Sequence, residues 1–176
     1  MASSRPDGRA DDALRVVQLD PATFGRRSPF SLSGGQRRRA AMAGVMAMQP
    51  RYLLLDEPFA GLDPLGRREI VTVIHGIATQ RFGEHTGILV ALSDLDLALH
   101  LADSLLVLHA GRVAWQGSVA AFTEQPPDVE PWGLRQPELV RLAGRLRQQG
   151  WPLRVSDPSP DTLADAIAAH VRGVRT

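Results

Sequence analysis

The chain has 176 residues, 44% of them hydrophobic and none of them cysteine. That is enough apolar material for a domain core, and it excludes disulfides and thiolate metal sites. The formal net charge is only +1, from 20 basic and 19 acidic residues, so there is no global polyanion-binding signature. All the basic residues are arginine, and without lysine these residues cannot encode the phosphate loop G-x-x-x-x-G-K-S/T.

Residues 1–10 lack the apolar stretch of a secretory leader and read as a disordered polar tail. Asp11 to Leu19 is expected to form a short helix with Leu14 and Val17 on one face, ended by Pro21, before a loop from Gly25 to Pro29. After Ser33-Gly34-Gly35, the Ala-, Met- and Arg-rich run from Gln36 to Met48 predicts a helix, closed by Pro50. Tyr52 to Leu55 is entirely apolar, the pattern of a parallel strand buried on both faces. Beyond a loop containing Gly61, Pro64 and Gly66, the residues Ile70, Val73, Ile74 and Ile77 mark the inward stripe of a second helix.

Ile88 to Leu92 reads as another buried strand, and Asp94 to Ala102 as a short helix with an acidic cap. Ser104 to Leu108 and Val113 to Trp115 are expected to be strands joined through Ala110-Gly111. This alternation predicts an α/β fold with parallel pairing at its centre. Gln125-Pro126-Pro127 and Pro131 mark a linker. Pro137 to Gln149 follows as a helix with Leu139, Leu142, Ala143 and Leu146 inward, then Thr162 to Val171 with Leu163, Ala166, Ile167 and His170 on one face. The expected organisation is a tail at 1–10, a main domain at 11–124, a linker at 125–136 and a helical extension at 137–176, too small for a core of its own. No apolar run approaches the ~20 residues that span a bilayer, so a membrane role would act through a partner.

Two short segments carry the chemistry. Ser33, Gly34 and Gly35 stand where a helix starts: its free N–H groups and dipole attract an anion, glycines let the backbone approach closely, and the serine adds a donor. By itself this is also what an ordinary capped helix looks like. Asp56 and Glu57 end the apolar strand, and neighbouring strand residues point to opposite faces. One carboxylate of such a pair can hold Mg²⁺ and the other can orient and deprotonate a water. His75, His85, His100 and His109 read as surface residues, Trp115, Trp132 and Trp151 as packing residues, and Arg37-Arg38-Arg39 as a solvated or ion-paired helix face.

In this order, and with Gly61-Leu62-Asp63-Pro64 directly after, the segments resemble the ATP-binding-cassette (ABC) ATPases: signature at 32–36, Walker B at 52–57, D-loop at 60–63. Ser28-Pro29-Phe30-Ser31, Gly44 to Pro50, and Gly61 to Glu69 look like the energy-coupling factor (ECF) subgroup, whose members power uptake of vitamins and of cobalt or nickel. The resemblance covers roughly residues 11–170 and extends to that subgroup's C-terminal helices. It implies the C-terminal part of an ABC ATPase, P-loop NTPase-like, with ATP and Mg²⁺ as cofactors. Ser33, Gly34, Gly35 and Gln36 would contact the γ-phosphate of ATP held by the opposite subunit. Asp56 would assist Mg²⁺ binding, Glu57 would be the catalytic base, and Asp63 would couple the two sites.

The family places Thr/Ser-His-Asp after the next strand, the His contacting the γ-phosphate. Here the stretch is Ala91-Leu92-Ser93-Asp94, so Ser93 stands where His is expected, or aligns with the preceding Thr/Ser after a one-residue deletion. The resemblance also implies an N-terminal section, with Walker A and Q-loop, that these residues do not include, and so a chain inactive alone. The implied partners are a second ATPase subunit, in a homo- or heterodimer, with a transmembrane coupling subunit and a substrate-binding membrane subunit. The implied location is the cytoplasmic face of the cell membrane, with no nucleic acid. Three roles stay open: the C-terminal half of a split or truncated importer ATPase, a non-catalytic partner presenting the signature, and an inactive truncated gene product. Soluble ABC proteins acting on ribosomes or DNA fit less well, since there is no basic tract or long coiled-coil insertion.

Overall fold

Arg39, Met42, Ala43 and Met46 recur at i, i+3, i+4 and i+7, and all four are buried. They form the inward stripe of a helix over Gly34–Met46, the third of the chain, after α1 (Pro6–Val16) and α2 (Pro21–Phe24). The computed structural model describes residues 6–79, 87–151 and 160–174. It divides into two compact units, Met1–Leu92 and Ser93–Thr176.

In the first unit, β1 (Tyr52–Asp56) pairs in parallel with β2 (Gly87–Ala91), with Tyr52 opposite Gly87 and Asp56 opposite Ala91. Between them runs α4 (Pro64–Thr79), on which Ile70, Val73, Ile74 and Ile77 are all buried as their spacing predicts. Each contributes about 1.5–3 kcal/mol by burial. Helices α1, α3 and α4 pack on one another, with Val17, Leu19 and Met46 fully enclosed. Helix α1 begins at Pro6, where a proline at the first turn costs no helical hydrogen bond, so the expected disordered tail is helical from that residue. Residues 1–5 lie outside the described residues.

The strands correct a second expectation. Leu53 is buried, but Tyr52, Leu54 and Leu89 are 70%, 70% and 62% exposed, so the two-stranded sheet is covered on one face only. An all-apolar strand requires two apolar layers, and among the described residues only one is present.

In the second unit, α5 (Leu95–Leu101) is capped by Asp94, whose carboxylate accepts from the Leu97 amide at 3.1 Å. Strands β3 (Ser104–His109) and β4 (Arg112–Ser118) form a hairpin across Ala110 and Gly111, both at positive φ, the geometry of a tight two-residue turn. A bulge follows Val107, and strand β4 runs three residues beyond the expected Trp115. Leu105 and Val119, the first residue of α6 (Val119–Glu124), face a core that also holds Leu95, Leu99, Phe122, Val129 and Val140, and Val107 is buried as well. Trp115 meets Phe122 edge to face, ring centroids 5.1 Å apart, while Trp132 packs against the same cluster.

Within residues 125–136, read from the sequence as a linker, several side chains pack inward. Val129 is 1% exposed, a short 3₁₀ turn spans Glu130–Trp132, and Gly133 closes it at positive φ. The proline-rich run is a turn pinned by apolar side chains. Helix α7 (Glu138–Gln148) buries Val140 and Ala143, with Leu139 and Leu146 half-buried, whereas Leu142 is 43% exposed and so not among the inward residues. Helix α8 (Pro160–Val174) packs Leu163, Ala166 and Ile167 near Ala143, and His170 lies 4.3 Å from Trp151 between ring centroids.

Helices α5 and α7 are joined by Asp96, whose carboxylate accepts from the Glu138 amide at 3.1 Å. Partial burial of this carboxyl, with Asp94 and Glu138 nearby, raises its pKa above the ordinary 3.8, although the Glu138 bond opposes the shift. A raised folded-state pKa favours the protonated form, so the associated stability is full below pH 3.8 and is lost as pH rises through the shifted value. Asp96→Asn keeps an acceptor for the Glu138 amide and removes the charge. Its urea midpoint should exceed that of the parent at pH 7, and the difference should vanish near pH 3. Equal midpoints at both pH values would contradict this.

Candidate functional site

Helix α3 begins with a reciprocal cap. The Ser33 hydroxyl accepts from the Gln36 amide at 3.2 Å, and the Gln36 side-chain carbonyl accepts from the Ser33 amide at 3.1 Å. This capping box is why the sequence starts its helix at Gly34, two residues earlier than its Ala/Arg run suggests. The amides of Gly34 and Gly35 occupy the first turn, where the helix itself offers no acceptor. Among the described residues, and apart from its chain neighbours and its own helix backbone, no heavy atom lies within 4 Å of a Cβ built on Gly34, so the tip is open. Ser33 is exposed and keeps its own O–H for a ligand, since it uses only a lone pair on Gln36.

Asp56 ends β1 at the carboxyl edge of the parallel pair, the edge at which open α/β sheets bind ligands. Glu57 follows at φ +42°, a left-handed conformation uncommon for a residue with a side chain, and its amide donates to Ala91 O at 2.9 Å. Both carboxylates are exposed. Pro58 and Phe59, just behind them, are buried and anchor the loop.

Asp63 caps α4, its carboxylate accepting from the Gly66 amide at 2.7 Å. A Cβ on Gly66 would come within 2.9 Å of that carboxylate oxygen, so a side chain there would displace the Asp63 cap. Ser93 opens the second unit, exposed in a bend directly ahead of the Asp94 cap. The first unit thus holds seven of the eight sequence-derived candidates, the signature four on α3 and the other three around β1 and its following loop.

The arginines after the signature do more than their sequence suggested. Arg38 donates from Nη1 to Pro58 O at 2.7 Å and to Ala60 O at 2.9 Å. Arg39 is buried, pairs with Glu69 of α4 at 3.2 Å and reaches Gln18 O at 3.3 Å. The signal was present: Arg39 is the first member of the α3 inward stripe, which places a charge inside and requires an acidic partner.

The residues suit a magnesium nucleotide. Among the described residues no group of three or more His, Cys, Asp or Glu could hold a metal. A lone exposed carboxylate, Asp56, instead suits Mg²⁺, which keeps waters and takes most oxygen ligands from phosphates. The open helix start at Ser33–Gly35 suits an anion.

Comparisons with known proteins bear on the family and the fold. The family model described as "ABC transporter" matches residues 3–60. The chain is 44% identical over 176 residues to the energy-coupling factor transporter ATP-binding protein EcfA2 of Symbiobacterium thermophilum, covering 99% of this chain and 57% of that protein. It is 38% identical over 174 residues to the protein of the same name from Bacillus licheniformis, covering 99% and 58% respectively. The solved structure of cbiO1 from Clostridium perfringens, described as part of the ABC transporter complex cbiONQ, is similar at a TM-score of 0.60 and 32% identity. That match covers 76% of this chain and 51% of the other. The chain therefore spans less than two thirds of these relatives, and the α/β fold class and the family resemblance are both borne out.

Proposed function

We propose that this chain, which belongs by sequence and fold to the ABC ATPases of the energy-coupling factor type, serves as the C-terminal portion of an importer's ATP-hydrolysing subunit. In this role it couples hydrolysis to uptake of a vitamin or transition-metal ion. It would sit at the cytoplasmic face of the membrane through its partners: a second ATPase subunit, a transmembrane coupling subunit and a substrate-binding membrane subunit. Among the described residues no helix is long and apolar enough to cross a membrane. The observation that carries the reading is the open, capped start of α3 in one unit with the Asp56-Glu57 strand end.

When bound, Mg·ATP supplies the phosphoanhydride to be cleaved and the cation that offsets its charge. Ser33 Oγ and the amides of Gly34 and Gly35 would donate to the terminal phosphate of ATP held on a partner's phosphate loop. The α3 dipole adds a favourable field at the same point. Asp56 would hold the magnesium side, and Glu57 would take the proton of the attacking water. Asp63 would link the two sites across the pair.

A second reading is a non-catalytic partner that only presents the signature. Ser93 favours it, because a hydroxyl at the expected histidine position can donate a hydrogen bond but offers no imidazole to the phosphate. Both readings require Ser33, and neither gives Mg·ATP turnover from these 176 residues alone, since they include no phosphate-loop lysine.

The test uses Ser33→Asp, because aspartate caps a helix as well as serine does but sets a negative charge against the phosphate. Mixed with a complete ABC ATPase subunit, the parent chain should stimulate ATP turnover, and the variant should stimulate it at least about 100-fold less. Its circular dichroism spectrum should be unchanged. Equal stimulation by the variant would overturn the signature assignment.

A further inference from the structure

We infer that Arg38 is a positioning residue that locks the loop carrying Glu57 to the signature helix, so that the two ends of the site move as one body. The inference rests on the functional reading above for its consequence, but its geometry stands separately. Helix α3 carries Ser33 to Gln36 at its start, and Arg38 lies one turn further along. Its Nη1 bridges two carbonyls, Pro58 O at 2.7 Å and Ala60 O at 2.9 Å, across 20 and 22 residues of sequence. Charge-assisted bonds of this kind are roughly twice as strong as neutral ones.

The bridged segment needs such a clamp. Glu57 sits at φ +42° and Gly61 at φ +69°, so the loop turns sharply at both ends of Pro58–Ala60. Its local hydrogen bonds are few: Ala60 N to Glu57 O at 3.1 Å and Leu62 N to Phe59 O at 3.3 Å. The left-handed conformation at Glu57 costs about 1–3 kcal/mol and persists only where its surroundings impose it. The Ala91 carbonyl holds Glu57 from the strand side, and Arg38 holds the next peptide from the helix side. A one-ångström loss of placement at a catalytic base costs about 100-fold in rate. The Arg39–Glu69 pair then fastens the same helix to α4, behind the Asp63 cap.

Hydrogen–deuterium exchange on the full 176-residue chain tests the clamp without activity. In Arg38→Met the Ala60 and Leu62 amides should exchange at least about 10-fold faster than in the parent, while Ile70 to Ile77 stay as protected as before. Unchanged exchange at Ala60 and Leu62 overturns the proposal. If Arg38→Met loosens α4 as well, Arg38→Lys decides the matter. An ammonium can donate to both carbonyls, so protection at Ala60 should return to within about twofold of the parent; failure to recover it in a folded Arg38→Lys chain overturns the clamp.

With a complete partner subunit, Arg38→Met should lower kcat about 10-fold at unchanged KM for ATP, with kcat taken per folded chain so that loss of folded protein, which lowers apparent kcat in the same way, is discounted. If Ser33→Asp and Glu57→Gln leave turnover untouched, the functional reading fails while the exchange result still decides the clamp. If those two abolish turnover and Arg38→Met matches the parent in kcat, only the positioning role fails.

Discussion

Glu57→Gln is expected to abolish ATP turnover by the chain paired with a complete ABC ATPase subunit, at any site whose water this chain must activate. General-base catalysis contributes about 10²–10⁴-fold, and an amide cannot accept the proton. The substitution is nearly isosteric and keeps the backbone amide that donates to Ala91 O at 2.9 Å. Glutamine bears the positive φ at this position no worse than glutamate, so stability should not change. The side chain is exposed, which removes burial as a competing explanation. The measurement is steady-state phosphate release together with nucleotide affinity. Loss of release with ATP still bound supports the catalytic reading. Turnover that depends on Ser33 and ignores Glu57 assigns the chain to the non-catalytic role, with its partner's own carboxylate doing the chemistry.

The signature and Walker B segments were legible in the sequence because their chemistry is local. Ser33 with Gln36 three residues on is a helix start readable from spacing alone, and the apolar strand ending in two carboxylates needs no tertiary knowledge. The α4 stripe was equally plain, since Ile70, Val73, Ile74 and Ile77 follow one helical face and all are buried.

What was missed depended on contacts distant in sequence. Leu54 and Leu89 look like core residues in a one-dimensional reading, yet the layer that would cover them is not among the described residues. Val129 sits in a proline-rich run that reads as connector, and only the facing Phe122 and Val140 make it core. Leu142 falls off the inward face because α7 turns Val140 inward instead. Arg38 was read as part of a charged helix face, and its bridge had no sequence mark, since its partners are backbone carbonyls and any residue supplies those.

Phe122→Ala is expected to be the most destabilising single change in the second unit. Phe122 is fully buried, lies edge to face against Trp115 and shares its cluster with Leu95, Leu99, Val119 and Val140. Truncating a buried phenylalanine costs about 3–5 kcal/mol through lost transfer energy and the cavity left behind. That approaches the whole stability of a marginal domain. All three tryptophans, at 115, 132 and 151, fall within Ser93–Thr176, and the single tyrosine, Tyr52, lies in the other unit. Tryptophan emission therefore reports the second unit selectively. Its urea transition should move down by about 1–3 M for a typical dependence on denaturant, or be lost if the unit no longer folds. Phe122→Leu keeps most of the volume but loses the ring contact with Trp115, so its shift should be less than half as large. An alanine variant whose tryptophan transition matches the parent would mean that the Trp115–Phe122 cluster does not hold this unit together. Its stability would then have to come from the smaller cluster of Ala143 and Leu163, where Trp151 packs.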